Sequence, residues 1–267
     1  MNEPLLSVQD LSKHFGGLAA VREVSFAVQP GQIKAIIGPN GAGKTTIFNL
    51  LCGFLPANEG RAQFADQDIL GLPPHRIAGM GMSRTFQNVR LFKQMSVLEN
   101  VSVGLHRQTR TGFLAGALDL PRVRREERVV QEQSQRVLAF VGLEAEAHRP
   151  AGHLPFGQQR ILELARALAA EPHLLLLDEP AAGLNEQETT QLATLIRRIR
   201  ERGVTVLLVE HDMRLVMGVA DEIMVLDYGA KIAEGPPRAI QTDSAVVSAY
   251  LGQPKGTTIR SWRSRHE

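Results

Sequence analysis

Three features of the chain predict an α/β fold with a mostly parallel sheet. Strands alternate with helices after residue 157, an apolar strand runs into a glycine-rich turn near residue 38, and a polar helical stretch between residues 88 and 157 interrupts the alternation. Strands separated by helical segments favour parallel pairing, because a parallel crossover needs a helix to return the chain.

The elements follow in order. LLSVQDL (5–11), VSFAV (24–28) and QIKAIIG (32–38) are β-like, and the last is the pattern of a buried strand that feeds a loop. KTTIFNLLCGF (44–54) has helical spacing, GRAQFADQDI (60–69) reads as strand, polar turn and strand edge, and HRIAGMGMSRTFQ (75–87) as a short helix and then a strand. From 88 to 157 the texture is helical and polar, with breaks at TRTGF (109–113) and DLPR (119–122). The charges of RVRREERVVQEQ (122–133) read as a solvated helix face. Beyond Gly157 come a helix over 158–170, strand HLLLLD, helix 186–203, strand VTVLLVE, helix 213–220 and strand EIMVLDYG. Ile161, Leu162, Ala165, Leu168 and Ala169 give the first of these helices its apolar face. The basic tail 254–267, with Trp262, has no readable pattern.

Composition narrows the function. The 267 residues are 43% hydrophobic, enough for a sizeable core, and the net charge of +2 argues against a broad nucleic-acid surface. The single cysteine, Cys52, permits no internal disulfide and reads as a packed helix residue. No signal peptide is expected from the N-terminus. No apolar run approaches the roughly 20 residues of a membrane span. The histidines at 14, 75, 106, 148, 153 and 173 have no metal-ligand spacing.

IIGPNGAGKTT (36–46) carries the strongest chemistry. Gly38, Gly43, Lys44 and Thr45 fit G-x-x-x-x-G-K-[ST], between a strand and a helix. The loop Gly38-Pro39-Asn40-Gly41-Ala42-Gly43 turns backbone N–H groups toward phosphate oxygens, and Lys44, Thr45 and Thr46 open the helix whose positive end adds to them. Lys44 reaches the β- and γ-phosphates of a nucleotide, and the Thr45 hydroxyl can ligate Mg²⁺. The strand at 173–178 ends in Asp178 and Glu179, where open α/β sheets bind ligands. Asp178 is the candidate Mg²⁺ residue, partly through water, and Glu179 the candidate general base.

Together these residues resemble the ATP-binding cassette ATPases over nearly the whole chain, with the motifs in the family's order. The resemblance implies a P-loop nucleotide-binding core with an antiparallel β subdomain and an inserted α-helical subdomain. The core would comprise 1–87 and 158–253, the helical subdomain 88–157. It implies that Phe15, in KHFGGL, stacks on adenine; that Gln87, in SRTFQN, contacts Mg²⁺ and the lytic water; and that His211, in LLVEHDM, holds the γ-phosphate and positions Glu179. Leu154-Pro155-Phe156-Gly157-Gln158 falls at the signature, usually LSGGQ, which closes over ATP bound to a second subunit in a head-to-tail dimer. AAGLN (181–185) falls at the D-loop, with Asn185 in place of a frequent acidic residue.

SRTFQNVRLFKQMSVLENV, the long helical segment, LPFGQQR, DEPAAGLN and YLGQ (250–253) further resemble the longer-lobed ATPase of branched-chain (hydrophobic) amino acid importers. That resemblance implies a second cassette ATPase, homo- or heteromeric, two membrane permeases, a substrate-binding protein, and a place on the cytoplasmic face of the membrane. Phe92, Met95 and Leu98 are either permease contacts or lobe core. The rivals are a lipopolysaccharide-export ATPase, a soluble non-transport cassette protein and a small-molecule P-loop kinase.

Overall fold

The computed structural model describes residues 3–105 and 121–251. The tail from 254 with Trp262, the TRTGF break and His106 lie outside the described residues.

The centre is a six-stranded sheet of β3 (Ile33–Ile37), β6 (Met82–Arg84), β7 (Leu174–Asp178), β8 (Thr205–Val209), β9 (Glu222–Asp227) and β10 (Ala230–Gly235), in the order β10-β9-β3-β8-β7-β6. Its pairs are parallel except β9 with β10. Every residue of β3, β7 and β8 is buried, as expected of parallel strands covered on both faces. Alternate residues serve opposite cores. Ile36, Leu176 and Leu207 face one cluster, while Ile33, Leu175 and Val206 face the other.

The first cluster is closed by α1 (Lys44–Leu51) and by a four-stranded antiparallel sheet of β1 (Leu6–Phe15), β2 (Leu18–Val28), β4 (Glu59–Phe64) and β5 (Gln67–Asp68). Cys52 lies in this core, where burial pushes its thiol up to about 11, so it packs as a small apolar residue. The short helix before β6 is α2 (Pro74–Gly79).

The helical lobe comprises α3 (Val97–Leu105), α4 (Pro121–Val141) and α5 (Phe156–Ala169). Val97, Val101 and Leu105, spaced by four, meet Leu138, Leu162 and Ala165 in a third cluster. Leu164 of α5 instead belongs to the core cluster beneath the sheet, so α5 is the seam between lobe and core. It starts at Phe156, two residues before the expected start at 158, because extended Pro155 occupies the N-cap. The described part of 122–133 is mainly exposed, consistent with a solvated face.

On the far side of the sheet lie α6 (Glu186–Glu201) and α7 (Met213–Val219). Asn185 opens α6 with a full capping box to Glu188. The chain ends its described course with α8 (Pro237–Thr242) and α9 (Ser244–Leu251). These two helices and edge strand β10 had no signal in the sequence pattern, being short and only partly buried. Among the described residues no helix is long and apolar enough to cross a membrane.

Candidate active site

The sheet's register assembles the site. Ile36 and Asp178 both pair with Val209, so β3, β7 and β8 end at one level. The phosphate loop follows β3, Glu179 follows Asp178 at the end of β7, and the Glu210–His211 pair follows β8.

In the phosphate loop, Gly43 has φ 101 and is the N-cap of α1, with no side-chain cap on the helix's first-turn amides. A Cβ there would overlap the Ala20 carbonyl oxygen, and one at Gly38 (φ 153) would overlap that of Leu226. Glycine is required at both positions by conformation and by close approach. Lys44 is buried, and its ammonium donates to the carbonyls of Gly38 (2.7 Å) and Pro39 (2.9 Å). Burial pulls its pKa below the usual lysine value, opposed by the charges of Glu179, Asp178 and Glu210. Asn40, Gly41 and Thr45 are exposed, Ala42 is buried and Thr46 half-buried, so the loop's outer rim faces solvent.

At the second strand end, Arg84 of β6 donates to Asp178 Oδ2 at 2.6 Å, both groups being buried. The guanidinium also donates to Asn49 Oδ1 at 2.7 Å and lies 5.4 Å from the ring centres of Phe48 and Phe86 and 5.9 Å from that of Phe54. Asp178 Oδ1 is buried with no hydrogen-bond partner among the described residues. Such an atom calls for a ligand, and a carboxylate oxygen at the end of β7 is a hard donor suited to Mg²⁺.

Glu179 sits at φ 47, a left-handed conformation rare for glutamate, and its N–H donates to Val209 O at 2.9 Å. Its carboxylate is the meeting point of the site. Gln87 Nε2 donates to Oε2 at 2.9 Å, and His211 Nδ1 lies 3.8 Å from the same oxygen. Two residues 124 positions apart along the chain thus converge on one carboxylate.

The signature residues are elsewhere on the surface of α5. Leu154 is buried in the lobe, Pro155 and Phe156 are exposed, Gly157 is buried and Gln158 half-buried. Pro155 supplies no side-chain cap, so the first amides of α5 are unclaimed by it. A Cβ on Gly157 would overlap the Glu188 carboxylate, and one on Gly183 would meet the Phe156 ring at 2.8 Å. Arg160 lies 5.4 Å from the Phe156 ring centre and donates to Phe86 O (3.2 Å) and Ala182 O (3.3 Å). Phe15, at the end of β1, is 46% exposed with Lys13 Nζ 5.2 Å from its ring centre, an open aromatic face away from the core.

Comparison with known proteins decides the family. The family model described as "ABC transporter" matches residues 21–182, and one described as "Branched-chain amino acid ATP-binding cassette transporter" matches 230–255. The chain belongs to the ABC transporter ATPases. This cassette is 49% identical to the high-affinity branched-chain amino acid transport ATP-binding protein BraF of Pseudomonas aeruginosa and 46% identical to LivG of Escherichia coli K12. In both cases the match covers 95% of this chain and all of the relative. A solved nucleotide-free ATP-binding cassette from an ABC transporter superposes with TM-score 0.82 at 32% identity, over 94% of this chain and all of that one. The cassette therefore has the ABC ATPase fold, binds nucleotide and hydrolyses ATP.

Sequence reasoning passed over two residues of this site. Arg84 stood in the quoted segment SRTFQN, but nothing in a linear pattern says that an arginine will be buried against Asp178. Glu210 carried a signal, since it ends an apolar strand just as Asp178 does, and it was overshadowed by His211 beside it.

Proposed function

We propose that this cassette energises the uptake of branched-chain, hydrophobic amino acids, with Glu179 as the base that activates water. The convergence of Gln87 and His211 on the Glu179 carboxylate is the observation that carries the catalytic assignment. The phosphate loop amides and Lys44 bind the β- and γ-phosphates, whose oxygens compete for the ammonium now shared by two carbonyls. Phe15 offers its exposed face to adenine. Thr45, Asp178 and Gln87 would hold Mg²⁺, partly through water, and the ion would neutralise charge on the phosphates. Glu179 accepts a proton as the water oxygen bonds to the γ-phosphorus. The bond to the β-phosphate oxygen breaks, and ADP leaves. Gln87 and His211 fix the carboxylate and the water rather than taking the proton.

The signature residues Leu154 to Gln158 face a second cassette subunit, whose ATP they close over. With no hydroxyl at Pro155, the grip comes from the first amides and the positive end of α5. The transport assignment rests on the whole-length identity to BraF and LivG and on the branched-chain match at 230–255. By that reading the cassette works on the cytoplasmic face with two membrane permeases and, through them, a substrate-binding protein. It does not bind nucleic acid. Isolating the cassette gently from its native membrane tests this. Two permeases and a cassette dimer are expected to co-purify, and vesicles carrying the assembly should take up leucine on addition of ATP. A monomer with no membrane partner would refute the transport reading.

A further inference from the structure

We infer that Glu210 is a positioning residue for hydrolysis, which locks the segment bearing His211 onto the segment that follows Glu179. The inference rests on the roles proposed above for Glu179 and His211.

Glu210 is wholly buried at the end of β8. Its carboxylate accepts three backbone N–H groups from two different loops. Oε1 takes Ala181 N at 2.8 Å; Oε2 takes His211 N at 2.7 Å and Asp212 N at 3.0 Å. Ala181 is two residues past Glu179, so one side chain spans the gap between the base and the histidine. The main chain repeats the tie, since Glu179 N donates to Val209 O, and Glu210 N reaches Ile36 O at 3.4 Å on the strand that feeds the phosphate loop. Burying an anion is costly, and an apolar residue would fill the space more cheaply if packing were the only need. A carboxylate is the side chain that can accept from both loops at once. Asp212 continues the brace, capping α7 through Oδ1 with Arg214 N at 2.8 Å and Leu215 N at 3.2 Å. The loop between β8 and α7 is thereby pinned at both ends, and the His211 ring stays 3.8 Å from the Glu179 carboxylate, with Nδ1 also 3.6 Å from Glu210.

Neutral glutamine at 210 keeps the shape but turns an NH₂ toward one of the backbone donors, so one loop is released. The test compares Glu210→Gln, Glu210→Asp, His211→Ala and the double variant Glu210→Gln/His211→Ala in the full chain. It measures phosphate release, the dissociation constant of a fluorescent ATP analogue, and melting temperature. Glu210→Gln is expected to lower kcat about tenfold or more while nucleotide affinity stays within about threefold, and Glu210→Asp to fall between it and the parent. The double variant should turn over no more slowly than His211→Ala alone, because Glu210 acts through His211. Unchanged kcat in Glu210→Gln, or a double variant slowed by the product of the single effects, would overturn the inference. If Glu210→Gln does not fold, Glu210→Asp decides, and parental kcat there likewise overturns it. Parental kcat in His211→Ala would instead remove the role of His211 on which the inference stands.

Discussion

The phosphate-loop half of the site and the signature half are built on opposite principles. The first is made of strand ends. Its residues are fixed by sheet register, and they touch one another: Gln87 and His211 reach Glu179, Arg84 reaches Asp178, Lys44 reaches its own loop. The second is a helix N-terminus whose residues are held from behind by α6 and its preceding loop, with Pro155 and Phe156 left facing outward. The glycines make the contrast concrete. Gly43 is required by a positive φ and a backbone carbonyl, neither of which can move. Gly157 has no positive φ and is constrained by a carboxylate at the end of a flexible side chain. On the proposed reading, a half-site completed by another subunit should tolerate substitution at exposed positions, and one that organises water and a base inside a single chain should not.

The comparison breaks first at Glu179. Glu179→Gln is expected to lower phosphate release by at least about 100-fold, the usual scale of a lost general base, while ATP binding persists and an ATP-bound dimer accumulates on gel filtration. Undiminished turnover would take the base out of this half of the site. Next comes Arg84→Gln, which strands the buried Asp178 carboxylate and should cost about 3–5 kcal/mol of stability in a denaturant titration. A loss below about 1 kcal/mol would mean that Asp178 is paired some other way.

The glycine contrast is sharpened by making the same change twice. Gly43→Ala should cost about 1–3 kcal/mol from backbone strain alone and abolish measurable nucleotide binding. Gly157→Ala should leave nucleotide binding intact, with its loss of melting temperature largely recovered by adding Glu188→Ala. Failure of that rescue would place the constraint in the α5 backbone rather than in the Glu188 carboxylate. The smallest effect is expected at Pro155→Ser, which restores the customary hydroxyl. ATP-dependent dimerisation, followed by light scattering, should change by less than about fivefold, since a typical net hydrogen bond contributes about 1 kcal/mol. A gain of tenfold or more would show that the missing hydroxyl limits the native signature.

Much of this protein was legible in its sequence because its signals are local. A glycine loop between a strand and a helix, a pair of carboxylates ending an apolar run, and alternation of strands with helices need only a few consecutive residues to be read, and they gave the parallel sheet and the phosphate loop. The edge elements β10, α8 and α9 were not legible, because short, half-buried segments carry neither a full period nor a buried face. What only the tertiary structure decided is which distant residues share an atom. Register places the ends of β3, β7 and β8 at one level, and the pairing of β6 with β7 adds the segment that carries Gln87; together they bring Gln87 and His211 to the same oxygen of Glu179 and set Glu210 between two loops. The same long-range packing buries Arg84 among three aromatic rings and turns it into the partner of Asp178. Sequence spacing fixes what a residue can do within one turn or one strand; the pairing of buried charges depends on strands far apart in the chain and is settled only when the sheet closes.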